Sequence, residues 1–341
     1  MKPTVHDIAR LAGVSLATVD RVLNARPGVR SVTRDKVEQA IVSLGYVRDL
    51  AAANLAKGRT YSLCFILPAN DNSFMLRLRQ EVQEAVERSA VERTRVEAVE
   101  VPAFDPAALV SALDAVLERR PDGVALVAVD APEVRAAVDR LRHAGIAVAT
   151  LVSDLSASSR DHFSGIDNSA AGRTAANLMG RFLSKVDGRV AILAGSMLVR
   201  DHRERLEGFL AVLAEDFPRV ALLPVIEARD DPALVEAMVR EALRRHPDLA
   251  GIYSLGAGNR GLIRVLKELD PSRRPIVIAH ELTPSTREAL QADLIDAVLN
   301  QDPGHEVRSA IRVLVAKADG LPVITAQERI RIDIFLKDNL P

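Results

Sequence analysis

The sequence predicts a small all-α head followed by an α/β body of two lobes. Three observations predict it. The first 45 residues read as short helices separated by glycine breaks. From Tyr61 onward, strand-like runs alternate with amphipathic helical stretches. The charge is also unevenly divided between the two parts. The 341 residues are 48% hydrophobic and 27% charged, enough to bury more than one core. Net charge is −1, but residues 1–59 hold ten Lys/Arg against five acids. The head is thus +5 and the remainder −6. A basic head on an acidic body suits a polyanion bound at one end.

The lone cysteine, Cys64, sits in the apolar run Tyr61–Leu67 and reads as a buried strand thiol. One cysteine excludes a disulfide framework and fits a reducing compartment. The polar start Met1–Arg10 does not read as a signal peptide, and no apolar run reaches membrane-spanning length. A cytoplasmic protein with no membrane partner is expected.

In the head, Thr4 is expected to cap a helix with Val5, Ile8, Ala9 and Ala12 on one face, broken by Gly13. Ser15 caps a second, with Val19, Val22 and Leu23 inward. Asn24 to Gly28 is a loop. Thr33 caps a third helix, with Val37, Ile41 and Leu44 inward, and Gly45 ends it. Two short helices joined by a glycine turn and closed by a third make a helix-turn-helix. The alternative is a generic three-helix domain.

The run Thr4-Val-His-Asp-Ile-Ala-Arg-Leu-Ala-Gly-Val-Ser-Leu-Ala-Thr-Val-Asp-Arg-Val-Leu-Asn24, with Thr33-Arg-Asp-Lys-Val-Glu and Leu44-Gly-Tyr46, resembles the head of LacI/GalR-type regulators. The resemblance implies a DNA-binding surface of Thr4, Ser15, Leu16, Ala17, Thr18, Arg21 and Asn24. Ser15 and Thr18 would hold phosphates. Leu16 and Ala17 occupy the base-reading positions but can only pack on apolar groups such as a thymine methyl. Arg21 would reach a base edge or phosphate, and Asn24 the backbone. Asp20 stands where the family usually has Ser. A carboxylate there repels phosphate, so a contact within the protein is expected. Residues 46–59 would form a hinge helix or linker, with Leu55 as the residue that wedges between base pairs. Arg48 replaces the usual Pro.

In the body, strand-like runs are Tyr61–Leu67, Val96–Val101, Val124–Val129, Ala147–Val152, Val190–Ala194, Val220–Ile226, Gly251–Leu255, Ile276–Ala279 and Ile295–Asn300. Asp105-Pro, Asp231-Pro, Thr283-Pro and Asp302-Pro mark helix starts, so these side chains are caps rather than catalysts. Such alternation implies two doubly wound parallel sheets, with ligands at the carboxyl ends of the strands.

Gly165-Ile-Asp-Asn168, Ala171-Gly-Arg-Thr and Arg203-Glu-Arg-Leu-Glu-Gly-Phe209 resemble, in order, sensor lobes of the ribose-binding-protein type, a periplasmic-binding-protein-like fold. The resemblance implies a cleft with Asn72, Phe74 and Ser153 or Asp154 on one side, and Arg205, Gly256, Glu281 and Gln301 on the other. It also implies an N-lobe of about 60–166 and 302–327, and a C-lobe of about 167–301 and 328–341. Carboxylate, guanidinium and amide groups suit the hydroxyls of a polyol, and an aromatic covers an apolar sugar face. Gly256-Ala-Gly258 replaces a usual Asn or Asp ligand and is expected to free backbone N–H groups for an anionic or bulky group.

Gly256-Ala-Gly-Asn-Arg-Gly261 also fits the dinucleotide pattern G-x-G-x-x-G, but it falls late in the sheet and lacks hydride-transfer partners. The seven histidines show no metal-ligand spacing. Asp201-His202 and His280-Glu281, read as strand neighbours, should point to opposite faces. No cofactor, metal or enzyme chemistry is expected. The reading is a homodimeric regulator, a repressor, on a near-palindromic DNA operator, with a sugar, polyol or sugar-phosphate effector between the lobes. The alternatives are a free solute-binding receptor and a cofactor-dependent enzyme of sugar metabolism.

Overall fold

The computed structural model describes residues 3–24, 26–46, 58–183 and 188–341. The chain divides into two compact units, Met1–Arg59 and Thr60–Pro341. Leu55, Arg48 and the expected hinge helix lie outside the described residues.

The first unit holds α1 (Val5–Ala12), α2 (Leu16–Leu23) and α3 (Ser31–Leu44). They close on Ile8, Val19, Val37 and Ala40, with Val22, Ile41 and Leu44 packed around these four. Gly13 and Gly45 end α1 and α3 with φ of 66° and 59°, a left-handed backbone that glycine adopts without steric cost. Thr4 stands at the N-cap of α1 as expected, in a capping box with Asp7, which accepts from the Thr4 N–H at 2.9 Å and from Thr4 Oγ1 at 2.7 Å. One expected cap differs. Helix α3 begins at Ser31, so Thr33 lies within its first turn instead of capping it.

The second unit holds two sheets. The first has the order β2-β1-β3-β4-β5, all parallel, from β1 (Tyr61–Ala69), β2 (Thr94–Pro102), β3 (Gly123–Leu126), β4 (Ala147–Leu151) and β5 (His162–Ser164). Helices α4 (Ser73–Glu92), α5 (Pro106–Arg119) and α6 (Pro132–His143) connect these strands. The second sheet has the order β12-β11-β10-β9-β6-β7, from β6 (Arg189–Ala194), β7 (Ala221–Leu222), β9 (Leu249–Ser254), β10 (Ile276–His280), β11 (Ala297–Asn300) and β12 (Asp333–Phe335). Its helices are α7 (Asn168–Phe182), α8 (Arg200–Asp216), α9 (Pro232–Arg245), α10 (Asn259–Glu268) and α11 (Pro284–Gln291). Helix α12 (Pro303–Ala318) follows β11 but packs its Val307, Ala310 and Leu314 into the core of the first sheet.

Each sheet is buried on both faces, with one apolar cluster per face. This is why its strands read as continuous apolar runs. Three strands differ from expectation. The run 220–226 is two pieces, β7 and β8 (Ile226–Glu227), both on β6 with Pro224 between them. Pro cannot donate to a ladder. Strands β5 and β12 are three residues each and give too short a pattern to read, and β12 runs antiparallel to β11. The four expected caps are present: Asp105, Asp231, Thr283 and Asp302 each accept from a backbone N–H one turn on, with Pro at the helix start.

Helices α7 and α8 approach backbone to backbone. A Cβ on Gly172 would lie 1.9 Å from the Arg205 carbonyl oxygen, and one on Gly208 would lie 2.2 Å from that of Ser169. Gly208→Ala therefore has to push the helices apart. The expected cost is about 1–3 kcal/mol, read as a lower urea midpoint with an unchanged slope.

Candidate functional site

The carboxyl ends of both sheets meet at a cleft. The Arg205 side chain lies at its floor, 1% exposed. Its Nε donates to Asn168 Oδ1 at 2.9 Å, its Nη1 to the Leu255 carbonyl at 2.7 Å, and its Nη2 faces Glu281 Oε1 at 3.4 Å. One guanidinium thus ties the starts of α7 and α8 to the ends of β9 and β10. Gln301, after β11, donates its Nε2 to the same Glu281 oxygen at 2.9 Å. Burial pushes the Glu281 carboxyl up to about 7, opposed by Arg205 and by the Gln301 hydrogen bond. Its neighbour His280 points the other way, into the core, with Nε2 2.9 Å from Tyr253 Oη, and burial holds it well below the ordinary histidine range. The strand ends at His280 and Glu281 has φ of 72°, so the pair are not strand neighbours as expected, and strand alternation does not set their directions.

The cleft has unlike walls. On the first lobe, Phe74, Met75, Pro102, Phe104 and Val129 present apolar surface, with Asn70, Asn72 and Ser153 at its edges. On the second, Asp201, His202, Arg205, Asp230 and Glu281 are polar. Several polar atoms there are buried without a partner: Asp201 Oδ1, Asp230 Oδ1, Glu281 Oε2, Asn70 Oδ1 and, behind them, Asn168 Nδ2 and Gln301 Oε1. Buried polar atoms normally have partners, so an unpaired set around one cavity marks a place where a ligand can supply them. Backbone strain gathers at the same place. Val152, Asp230 and Glu281 have φ of 60°, 62° and 72°, conformations that non-glycine residues rarely hold.

The lobes touch across the cleft. Asn72 Nδ2 donates to the Gly256 carbonyl and Asn70 Nδ2 to Asp230 Oδ2, each at 3.4 Å. Arg260 Nη2 reaches the Asp71 carbonyl at 2.8 Å, and Ser153 Oγ accepts from Arg200 N–H at 3.1 Å. At one side Asp130, itself buried, takes Arg135 from its own lobe and Arg203 from the other, each at 2.5 Å.

The structure brings Asn72, Phe74, Ser153, Arg205, Gly256 and Glu281 together at the cavity, with Gln301 one layer behind. Asp154 is a correction. It does not line the cavity; its carboxylate pairs with Arg160 and accepts from Thr150 Oγ1 at 2.6 Å. A tight turn around Val152, closed by Ser153 N–H on the Leu151 carbonyl, aims Ser153 at the cleft instead. Gly256 is also corrected in kind. It offers a carbonyl, taken by Asn72, and a Cβ there would sit 2.9 Å from Arg205 Nη1. Gly258 and Gly261 let α10 pack on Val235 and the Pro232 carbonyl, which accounts for the dinucleotide-like pattern by packing alone.

Asp201, His202 and Asp230 are cleft residues that the sequence reading missed. Asp201 and His202 are on helix α8, not a strand, and stand four and three residues before Arg205. That spacing puts all three on one helix face, and it was the available signal. Asp230 was hidden beside the cap Asp231.

In the head, Leu16 is 42% exposed and Ala17 is exposed at the start of α2. Ser15 caps α2, with its Oγ 3.3 Å from Thr18 N and 3.0 Å from Thr18 Oγ1. Asp20 keeps its contacts within the protein: Oδ1 accepts from Asn24 Nδ2 at 2.7 Å, and Oδ2 pairs with Arg26 at 3.2 Å. The expected contact within the protein is thus present, with Asn24 and Arg26 as the partners.

Comparison with known proteins agrees with both parts. The model of the periplasmic binding protein domain matches residues 63–322, and that of bacterial regulatory proteins of the lacI family matches residues 4–49. The chain belongs to the periplasmic-binding-protein domain family and carries a lacI-family DNA-binding domain. It is 39% identical to catabolite control protein A of Priestia megaterium over 84 residues, a quarter of each chain. It is 29% identical to the ribose operon repressor of Escherichia coli over 211 residues, 62% of this chain and 61% of that one. The matched stretches thus span less than two thirds of these relatives. An ABC-transporter solute-binding protein of Burkholderia graminis, solved with D-arabinose, superposes with a TM-score of 0.73 at 25% identity, covering 83% of this chain and 97% of that one.

In a periplasmic-binding-protein cleft with a buried acid, pH tests the geometry. The folded pKa of Glu281 is raised, so its contribution is full below about 4.5 and is lost as pH rises through about 7. Glu281→Gln removes that dependence. The stability difference, wild type minus variant, is expected to fall steadily from pH 4.5 to 7 in thermal melts; a flat difference contradicts the assignment.

Proposed function

We propose that the chain is a DNA-binding transcription repressor whose operator affinity is set by a small hydroxyl-rich effector between the two lobes. The observation that carries this is the unpaired polar set around Arg205 in a domain joined to a lacI-family head. In this reading Arg205, Glu281, Asp201, Asp230 and Asn72 bind hydroxyls, Phe74 and Phe104 cover the apolar face of the ligand, and Ser153 and Gly256 shape the rim. Gln301 acts through Glu281. The ribose operon repressor and the arabinose-bound neighbour support a sugar-type effector.

DNA would be held by Thr4, Ser15, Thr18, Arg21 and Asn24, with Leu16 and Ala17 against base edges and Leu55 in the minor groove. Because Leu16 and Ala17 cannot hydrogen-bond, specificity leans on Arg21 and DNA shape. The protein would work in the cytoplasm as a homodimer on a near-palindromic site. Among the described residues no helix is long and apolar enough to cross a membrane. The effector acts by binding two states of the sensor with different affinity, since equal affinity shifts nothing.

A gel shift on genomic fragments at 50–200 mM salt tests this, with about 10³-fold loss of affinity expected across that range for roughly six phosphate contacts. Thermal melts against sugars and polyols should find a ligand that raises the midpoint. Arg205→Ala, and independently Asn72→Ala in case the first unfolds, should weaken that ligand at least tenfold without changing DNA affinity. Loss of DNA binding in both, or an unchanged shift in both, overturns the cleft assignment. Asp20→Asn removes a negative charge and frees Arg26, so non-specific DNA affinity should rise several-fold with a steeper salt slope.

A further inference from the structure

The cleft contains more acid than its bases neutralise. Asp201 is 6% exposed and Glu281 4%, and each keeps one oxygen without a partner, as does Asp230 beside them. Among the described residues Arg205 is the one arginine lining this cavity, and no lysine lines it. Its Nε, Nη1 and Nη2 are already given to Asn168, the Leu255 carbonyl and Glu281. Two of the nearby guanidiniums are paired elsewhere, Arg200 with Glu204 and Arg203 with Asp130; Arg260 donates to the Asp71 carbonyl at the rim, and its charge meets part of that of Asp230. The His202 ring places Nδ1 3.0 Å from the Ser196 carbonyl and Nε2 3.9 Å from Asp201 Oδ2. Among the described residues the first lobe adds no base to the lining, and its Asp105 is held as a helix cap.

Uncompensated buried carboxylates are costly, and a ligand that brings the missing positive charge gains most from entering. Among the described residues no trio is arranged to hold a metal ion. An ammonium fits instead, since its three donors match separate acceptor oxygens. Asp201 and Asp230 line the cavity with His202 beside both: its Nε2 is 3.9 Å from Asp201 Oδ2, and a Cβ on Gly195 would come within 3.0 Å of its ring and 3.2 Å of Asp230 Oδ1.

Resting on the effector reading above, we propose that the effector carries a protonated amine seated between Asp201 and Asp230, as in an amino sugar or amino polyol. Sugar acids and sugar phosphates, which would face Asp201 and Asp230 beside an arginine already paired with Glu281, are excluded. This reverses the anionic preference expected from the glycine run.

The test is calorimetric titration of the full chain with matched sets on pentose, hexose and hexitol frames: neutral parent, amine, acid and phosphate. The amine should bind at least tenfold tighter than its neutral parent, and the acid and phosphate should give no heat. Asp230→Asn and, separately, Asp201→Asn should each reduce that preference to below threefold. A neutral or anionic member binding as tightly as the amine overturns the inference and leaves the effector reading standing. So does a preference that survives both variants in folded protein. If no class binds, the effector reading fails and this inference with it.

Discussion

A single buried guanidinium organises the sensor. Arg205 takes an amide oxygen, a backbone carbonyl and a carboxylate from three separate segments, and it does so with 1% of its surface exposed. An arginine in that position cannot shed its proton, so its surroundings must supply acceptors. Glu281, Asn168 and the Leu255 carbonyl are those acceptors. Much else follows from keeping them there. Gly172 and Gly208 let α7 and α8 close to backbone contact at Arg205 itself, Gly256 leaves room for Nη1, and Gln301 holds Glu281 from behind. The strained φ of Glu281 is one cost of this arrangement.

The same node sets the chemistry of the cleft. Arg205 gives one contact from each of its nitrogens to the protein, so its charge is largely met there while its remaining N–H groups can still reach a ligand hydroxyl. The remaining acid of Asp201, Asp230 and Glu281 then faces an apolar wall of Phe74, Phe104 and Val129. A ligand suited to such a site has a polar, proton-donating side and an apolar side. A closed cleft also needs both lobes in register, and Asp130 between Arg135 and Arg203 links them through one buried carboxylate.

Much of this was legible in the sequence, for identifiable reasons. Doubly buried strands give apolar runs, and Asp-Pro or Thr-Pro pairs mark helix starts, so the alternation and the four caps could be read directly. Arg205, Glu281, Asn72 and Phe74 were legible through resemblance. Three things were not. Periodicity says nothing useful about strands of three residues such as β5 and β12. The choice between Ser153 and Asp154 depends on a turn with positive φ at Val152, a conformation that a valine in the sequence does not advertise. Asp201 and His202 were assigned strand geometry although they open α8, and helical spacing from Arg205 would have placed them at the cleft.

A double-mutant cycle on Arg205 and Glu281 tests the organising role most directly. It is best measured by urea unfolding at pH 8, above the Glu281 pKa of about 7. If Arg205 is the node, Arg205→Met alone costs about 3–5 kcal/mol, because it strands a buried carboxylate. The pair Arg205→Met with Glu281→Leu should then cost at least about 1.5 kcal/mol less than the two singles together. Additivity within about 0.5 kcal/mol would mean that the two side chains do not depend on each other, and the account of the cleft would fail.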